Sequence, residues 1–110
     1  MALTITGSGT QTCVIGTDHS VQNSTASGVF QALVNLTNLA KGDVIRVFVT
    51  SKVLTGDTEE IILEGIYSND MGASPIILLP PWPSPFSCTL HLQQTAGTGR
   101  SVPWSLIQLA

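Results

Sequence analysis

Charged side chains are scarce in this sequence: Asp, Glu, Lys and Arg make up 10% of its 110 residues, against about 25% in typical soluble domains. The surface must therefore consist largely of Ser, Thr, Asn, Gln, Gly and apolar groups. A surface of that kind tends to associate unless partners cover it. The composition favours a subunit of a larger assembly, and the alternative is a monomer with the Ser- and Thr-rich surface that secreted β-sandwiches often have.

The chain also lacks a basic cluster and any long apolar run. Its four basic residues are scattered and its formal net charge is −3, which argues against a nucleic-acid partner because phosphate binding needs a basic patch. The longest apolar stretch, residues 76–79, is far too short to span a bilayer. No basic start and no apolar run precede Gly7, so no secretory signal is predicted. We therefore expect neither a nucleic-acid nor a membrane partner.

Few residues could carry chemistry. Most of the seven acidic residues lie in or beside turns, and Glu60 and Glu64, which share a strand face, are better explained as a polar outer surface than as a catalytic pair. Strand alternation points His91 away from Cys88, so the two cannot share a metal ion locally. Residues 96–100 are glycine-rich but lack the spacing and Lys-Ser/Thr ending of a phosphate loop. The sequence predicts a protein that is not an enzyme, with no catalytic residue, metal or cofactor, although a Ser/His/Asp arrangement made by the fold stays open.

Cys13 and Cys88 are the two cysteines of the chain. One disulfide between them is possible in principle. Each cysteine lies in an apolar strand pattern and no secretory signal is predicted, so we expect two buried thiols instead.

Strand-like runs separated by glycine and asparagine turns fill the chain, with no helical periodicity and no internal repeat. The expected fold is therefore all-β: an antiparallel β-sandwich or jelly-roll-like barrel of about eight short strands. Residues 1–110 are expected to form a single domain with a short N-terminal arm. The predicted runs are 2–6, 10–15, a weak edge strand at 19–24, 28–36, 44–53, 58–68, 75–79, 86–94 and 100–109.

Alternation within these runs predicts the core. The lone Leu39 in a polar loop is expected to plug the core, and Cys13 and Ile15 are expected to share a buried face. The remaining predicted core residues are Phe30, Ala32, Val34, Leu36, Ile45, Val47, Val49, Phe86, Cys88, Leu90, Leu92, Val102, Trp104 and Leu106.

A proline-rich segment, residues 80–85, has four prolines in six positions. Proline cannot donate to a strand ladder, so the segment is expected at a sheet edge or in a polyproline-like crossing. Trp82 within it has three possible roles: packing onto the sandwich edge, anchoring into a neighbouring subunit, or stacking on a sugar.

Three stretches resemble small virion proteins of tailed bacteriophages, of the capsid decoration (cement) class. They are Asn38 to Asp43 running into the Val44–Lys52 strand, Leu92 to Arg100 followed by Val102-Pro103-Trp104, and Gly16-Thr17-Asp18-His19. The resemblance implies a protein displayed on the outer capsid, made in the host cytoplasm, and bound to the major capsid protein. It implies a homo-oligomer, with a trimer favoured, and it identifies no catalytic residue.

Apolar and backbone contacts should dominate binding by so uncharged a chain. The expected contact segments are residues 1–6 at the N-terminus, residues 78–86 around the prolines and residues 106–110 at the C-terminus. The candidate interface residues are Leu3, Ile5, Phe48, Leu79, Trp82, Phe86 and Leu109. The alternative function is a carbohydrate-binding module, which needs Trp82 exposed beside polar residues such as Asn69 or Gln93. A small hydrolase dependent on His19 or His91 is the less favoured rival.

Overall fold

Antiparallel strands make up the framework of the computed structural model, which describes residues 3–68 and 75–109. Those residues form two antiparallel sheets packed together and no helix, which confirms the all-β class and the sandwich architecture. The strands are β1 Leu3–Thr12, β2 Asp18–Ser24, β3 Gly28–Asn35, β4 Val44–Ser51, β5 Glu60–Ser68, β6 Ile76–Leu78, β7 Trp82–Ser84, β8 Cys88–Ala96 and β9 Ser101–Leu109.

The two sheets differ in how their edges are made. The five-stranded sheet has the order β1-β9-β3, and its far edge is shared by β6 and β7, which both pair with β3. The four-stranded sheet has the order β2-β8-β4-β5, so the predicted weak strand at 19–24 does lie at an edge. Each sheet therefore has one long strand at one edge, and only the five-stranded sheet has an edge split into two three-residue pieces.

The core lies between the sheets and follows the predicted alternation. Leu36 and the loop residue Leu39 are both buried, as expected for a plug. Side chains of this kind stabilise the fold by about 1.5–3 kcal/mol each when fully buried. The predicted core residues that the structure buries are Cys13, Phe30, Ala32, Val34, Ile45, Val47, Val49, Cys88, Leu90, Leu92, Val102 and Leu106, whereas Phe86 and Trp104 are half-buried.

The N-terminal region differs from the prediction. A turn was expected at Gly7–Gly9, but Leu3–Thr12 is one strand that continues past a bulge between Ile5 and Gly7. Gly9 lies beside the Trp104 ring, where a Cβ would make an ordinary contact at 3.6 Å, so this position suits a paired strand and does not end it. The placement of Ile15 in the core is wrong: its side chain is 40% exposed, because β1 ends at Thr12 and its alternation does not extend that far.

Trp82 packs within the chain. It opens β7, pairs with Phe30 and stacks on its ring at a centroid distance of 6.5 Å, and it is 2% exposed. The proline segment is therefore a sheet edge, and its tryptophan closes the open side of the sandwich.

Both cysteines are buried free thiols, as predicted. Burial raises the pKa of the Cys13 thiol. Burial also raises the pKa of Cys88, and the Glu59 charge reinforces the effect. Since the thiolate is the reactive form, both sulfurs are poor nucleophiles in the folded protein.

The buried carboxylate of Asp43 links the loop before β4 to the loop between β8 and β9. Asp43 is 1% exposed and accepts hydrogen bonds from the main-chain N–H of Ala40 (2.7 Å) and Thr98 (3.0 Å) and from Nε of Arg100 (2.7 Å). The Ala40 hydrogen bond is the main cause of a lowered pKa for this carboxyl, with Thr98 and Arg100 adding to it and desolvation opposing it. Gly97 has a φ of +91° and packs against this carboxylate, so a Cβ at position 97 would collide with Asp43.

Candidate interaction surface

Charge is segregated between the two sheets. The strands of the five-stranded sheet, β1, β3, β6, β7 and β9, contain no Asp, Glu, Lys, Arg or His. The ionisable side chains of the described residues all lie on the four-stranded sheet or in loops. One of the two sheets therefore has no charge on its strands, and the few charged residues of the chain lie elsewhere.

The outer side of this uncharged layer is rich in aliphatic residues, and its other residues, such as Ser8, Gln31, Asn35 and Ser105, are polar but uncharged. Residues directly opposite each other on antiparallel strands share a face. One row crosses the sheet from Leu3 to Leu109, Val29 and Pro83, and the next begins with Ile5 and Ile107. We call this surface the apolar face and define it by Leu3, Ile5, Val29, Leu33, Ile76, Leu78, Ile107 and Leu109.

The apolar face occupies much of the outer side of the five-stranded sheet. Four strand positions about 4.8 Å apart and up to about nine residues long at ~3.3 Å per residue give that whole side roughly 600 Å², of which the uncharged polar residues cover a part. The largest apolar patch on a typical monomer reaches about 300–600 Å² and is often functional. Five of the eight side chains, Leu3, Ile5, Val29, Ile76 and Leu78, are among the exposed large hydrophobic residues of the chain. The face therefore has the uncharged, aliphatic chemistry of an interaction surface.

The structure separates the seven interface candidates. Leu3, Ile5 and Leu109 meet on the apolar face, the first two exposed and the third half-buried. Phe86 is half-buried before β8. The other three candidates are buried inside the chain and offer almost no surface to a partner: Phe48, Leu79 and Trp82.

Three residues of the apolar face lie outside the contact segments expected from the sequence, namely Val29, Leu33 and Ile76, whereas Leu78 and Ile107 lie within those segments but were not among the named candidates. The signal for Val29 and Leu33 is that the run 28–36 contains no charged residue on either strand face. Strand alternation did place Val29 and Leu33 on the face opposite the core. What it could not supply was the pairing of β3 with β9 and β6, which joins them into one surface.

The outer side of the four-stranded sheet carries charged groups, beside the exposed Ile66. Arg46 forms a two-point salt bridge with Glu64 at 2.9 and 3.0 Å and covers the Phe48 ring at 4.2 Å. The His91 ring stacks on Phe48 at 4.5 Å, and its Nδ1 lies 2.9 Å from Oδ1 of Asp18. The hydrogen bonds from Arg46 lower the pKa of Glu64. Phe48 is therefore covered by its own neighbours.

Glu59 joins the turn before β5 to the neighbouring strands. Its carboxylate accepts hydroxyl hydrogen bonds from Thr50 on β4, Thr89 on β8 and Ser87 just before β8. Burial raises the pKa of Glu59. The hydrogen bonds from Ser87, Thr50 and Thr89, together with the nearby His91, lower it by more than burial raises it, so the pKa lies below its ordinary value. The carboxylate acts as a brace across three segments.

Replacing Glu59 with alanine is expected to lower the free energy of unfolding by about 1–2 kcal/mol, because three hydroxyls lose their acceptor. Urea denaturation at neutral pH measures the loss. The adjacent and exposed Glu60 is the matched control, and Glu60→Ala should change stability by less than about 0.5 kcal/mol. Equal effects of the two substitutions would contradict the bracing role.

Asp18, His91 and Thr50 are arranged in the order of an acid–base–nucleophile chain. Thr50 Oγ1 lies 3.0 Å from His91 Nε2, but it also lies 2.8 Å from a Glu59 oxygen. A hydroxyl has one proton to donate, and Thr50 is itself buried on the outer side of a sheet. These side chains therefore link strands β2, β4 and β8 to one another. The absence of enzymatic activity stays a prediction.

The carbohydrate-binding alternative finds little support in the geometry. It requires an exposed Trp82, whereas Trp82 is buried against Phe30 and forms one wall of an apolar pocket of about 450 Å³. Gln93 lies on the other sheet and bonds to Arg46 and to the carbonyl of Gly16. The second proposed polar neighbour, Asn69, falls outside the described residues.

No protein-family model, curated protein or solved structure matches this chain. Within residues 3–68 and 75–109, no helix is long and apolar enough to cross a membrane. The same residues bring together no group of three or more His, Cys, Asp or Glu side chains that could hold a metal ion. The functional interpretation therefore depends on the surface and contacts of the chain itself.

Proposed function

We propose that this chain is a structural virion subunit, a capsid decoration protein that binds the outer surface of a phage capsid and stabilises it. The apolar face is the surface that docks on the major capsid protein. Its aliphatic side chains lie across neighbouring capsid subunits, and the polar four-stranded sheet faces solvent. Such a subunit adds contacts between subunits that the shell does not otherwise have.

The observation that carries the proposal is the complete lack of ionisable groups on the strands of the five-stranded sheet. Fully buried interface cores are depleted of charge, whereas surfaces that stay in water are normally dotted with it. A stable interface buries about 800 Å² on each partner. The whole outer side of the five-stranded sheet, uncharged polar residues included, measures roughly 600 Å², and loops beside it can supply the rest.

The capsid is chosen as the assembly because of the resemblance to decoration proteins in the Asn38–Lys52 and Leu92–Trp104 stretches. The same resemblance supports a virion location, synthesis in the host cytoplasm and a homo-oligomer on the shell. The geometry favours this function over sugar binding, because the aromatic residue that a sugar site would need is buried.

Co-sedimentation with capsids that lack this subunit tests the proposal. The protein should pellet with the shells and raise their melting temperature. Because the apolar face carries no charge, its affinity should change by less than about threefold when NaCl rises from about 0.05 to 0.5 M, a range over which exposed ion pairs are screened. No binding to shells would contradict the proposal, and binding that salt abolishes would contradict the role of the apolar face.

A further inference from the structure

Three of the four sheet edges carry features that discourage pairing with another strand. The β6/β7 edge consists of two three-residue strands among five prolines, at positions 75, 80, 81, 83 and 85. The β5 edge carries Glu60 and Glu64, and the β2 edge carries Asp18 and a bulge between Ser20 and Gln22. Short strands, prolines, charges and bulges are the ordinary means of protecting an edge.

The fourth edge, β1, is the least protected. It is ten residues long and has no charge and no proline. Its bulge lies near one end, between Ile5 and Gly7, and leaves Gly7–Thr12 in unbroken register with β9. Among the described residues, the main chain of Leu3–Thr10 is hydrogen-bonded only to β9. The outward N–H and C=O groups of this strand are therefore available to one more strand.

We propose that β1 pairs with β1 of a second copy of this chain, antiparallel and about a twofold axis. Main-chain groups supply the hydrogen bonds in such a pair, so the partner strand needs no charge and no proline at the contact. A second copy meets that requirement with the same residues, which is the condition for an isologous twofold interface. The five-stranded sheets of the two copies then form one continuous sheet.

This arrangement also enlarges the apolar face. Leu3 and Ile5 lie on β1 itself, so pairing through β1 brings the two apolar faces side by side on one surface. The other edges do not offer a symmetric pair of equal quality, since β5 carries two acidic residues, β2 carries Asp18 and a central bulge, and the β6/β7 edge is short and rich in proline. The expected oligomer is thus a dimer, in place of the trimer that the family resemblance implies.

Sedimentation velocity of the isolated protein tests the dimer without any shell, so its outcome is independent of capsid binding. Ser8 is exposed near the middle of β1, and Ser8→Lys should weaken self-association at least about tenfold because two like charges face each other across the axis. Ser8→Asp should do the same. An equimolar mixture of the two variants should regain the dimer, since opposite charges then meet.

Ser105→Lys is the control that separates the edge from the apolar face. Ser105 lies opposite Ser8 on β9, one strand in from the edge, and its substitution should leave the edge-paired dimer intact. A monomer or a trimer at micromolar concentration would overturn the inference. A dimer that survives Ser8→Lys, or that Ser105→Lys dissociates, would overturn it as well, because the copies would then meet elsewhere or face to face.

Discussion

The double substitution of Ile5→Asp and Leu78→Asp is expected to weaken binding to capsids at least about 100-fold while the protein stays folded. The two residues lie at opposite edges of the apolar face, on β1 and β6, and both are exposed in the isolated chain. Folding therefore loses little when they become polar. Docking would bury two carboxylates with no partner, and an unpaired buried charge costs several kcal/mol. Co-sedimentation with shells gives the affinity, and urea denaturation confirms the fold.

The sandwich offers a closely matched control for this pair. Ile66 lies on β5, the edge strand of the other sheet, and is 67% exposed, against 68% for Ile5. Ile66→Asp changes charge and hydropathy in the same way on the polar side of the molecule. It should leave the affinity within about twofold of wild type. Equal losses for Ile66→Asp and the double variant would mean that the apolar face has no special role.

Asp43→Ala is expected to cost about 2–4 kcal/mol of unfolding free energy, because three donors lose a buried acceptor while the partly exposed Arg100 can still be solvated. The substitution leaves Arg100 and the main-chain N–H groups of Ala40 and Thr98 without their acceptor. Urea denaturation at neutral pH measures the loss. Asp57 is the control, since it accepts one N–H, from Leu54, in an exposed turn, and Asp57→Ala should cost only about 0.5–1.5 kcal/mol.

The Asp43 contribution also has a pH dependence of known sign. The pKa of this carboxyl is lower in the folded chain than its ordinary value, so the unfolded state takes up the proton first as pH falls. The stabilisation is complete above the ordinary Asp pKa of about 3.9 and is lost as pH falls through the folded value. The stability gap between wild type and Asp43→Asn should hold steady above about pH 5 and narrow below about pH 4. A gap that grows on acidification would contradict the contacts of Asp43.

Local pattern was enough to predict most of the fold. Alternation in β3, β4 and β8 identified the inward residues because a strand with one buried face repeats every two residues. It was wrong at Gly7–Gly9, where glycines indicated a turn. That region stays extended because β9 pairs along its length and the Trp104 ring fills the space beside Gly9. Trp104 is nearly one hundred positions from Gly9 in the sequence, so no local pattern could predict that it keeps this glycine-rich segment extended.

The interaction surface was predicted only in part for the same reason. Leu3, Ile5 and Leu109 were chosen because they lie in terminal apolar segments, and the structure does place them on one face. Trp82 was chosen because tryptophan is a common anchor at interfaces, but stacking on Phe30 buries it within the chain. Which uncharged strands lie side by side depends on the order β1-β9-β3-β6, and that order follows from long-range pairing.

Cysteine labelling on assembled shells tests the central claim most directly. Leu78→Cys places a thiol on the apolar face and Ile66→Cys places one on the opposite side of the sandwich, while the native Cys13 and Cys88 are buried and stay unreactive. Both introduced thiols should react with a maleimide in the free protein. On shells, we expect Leu78→Cys to be protected and Ile66→Cys to react as before. Protection of Ile66→Cys with Leu78→Cys still reactive would contradict the assignment of the apolar face as the docking surface.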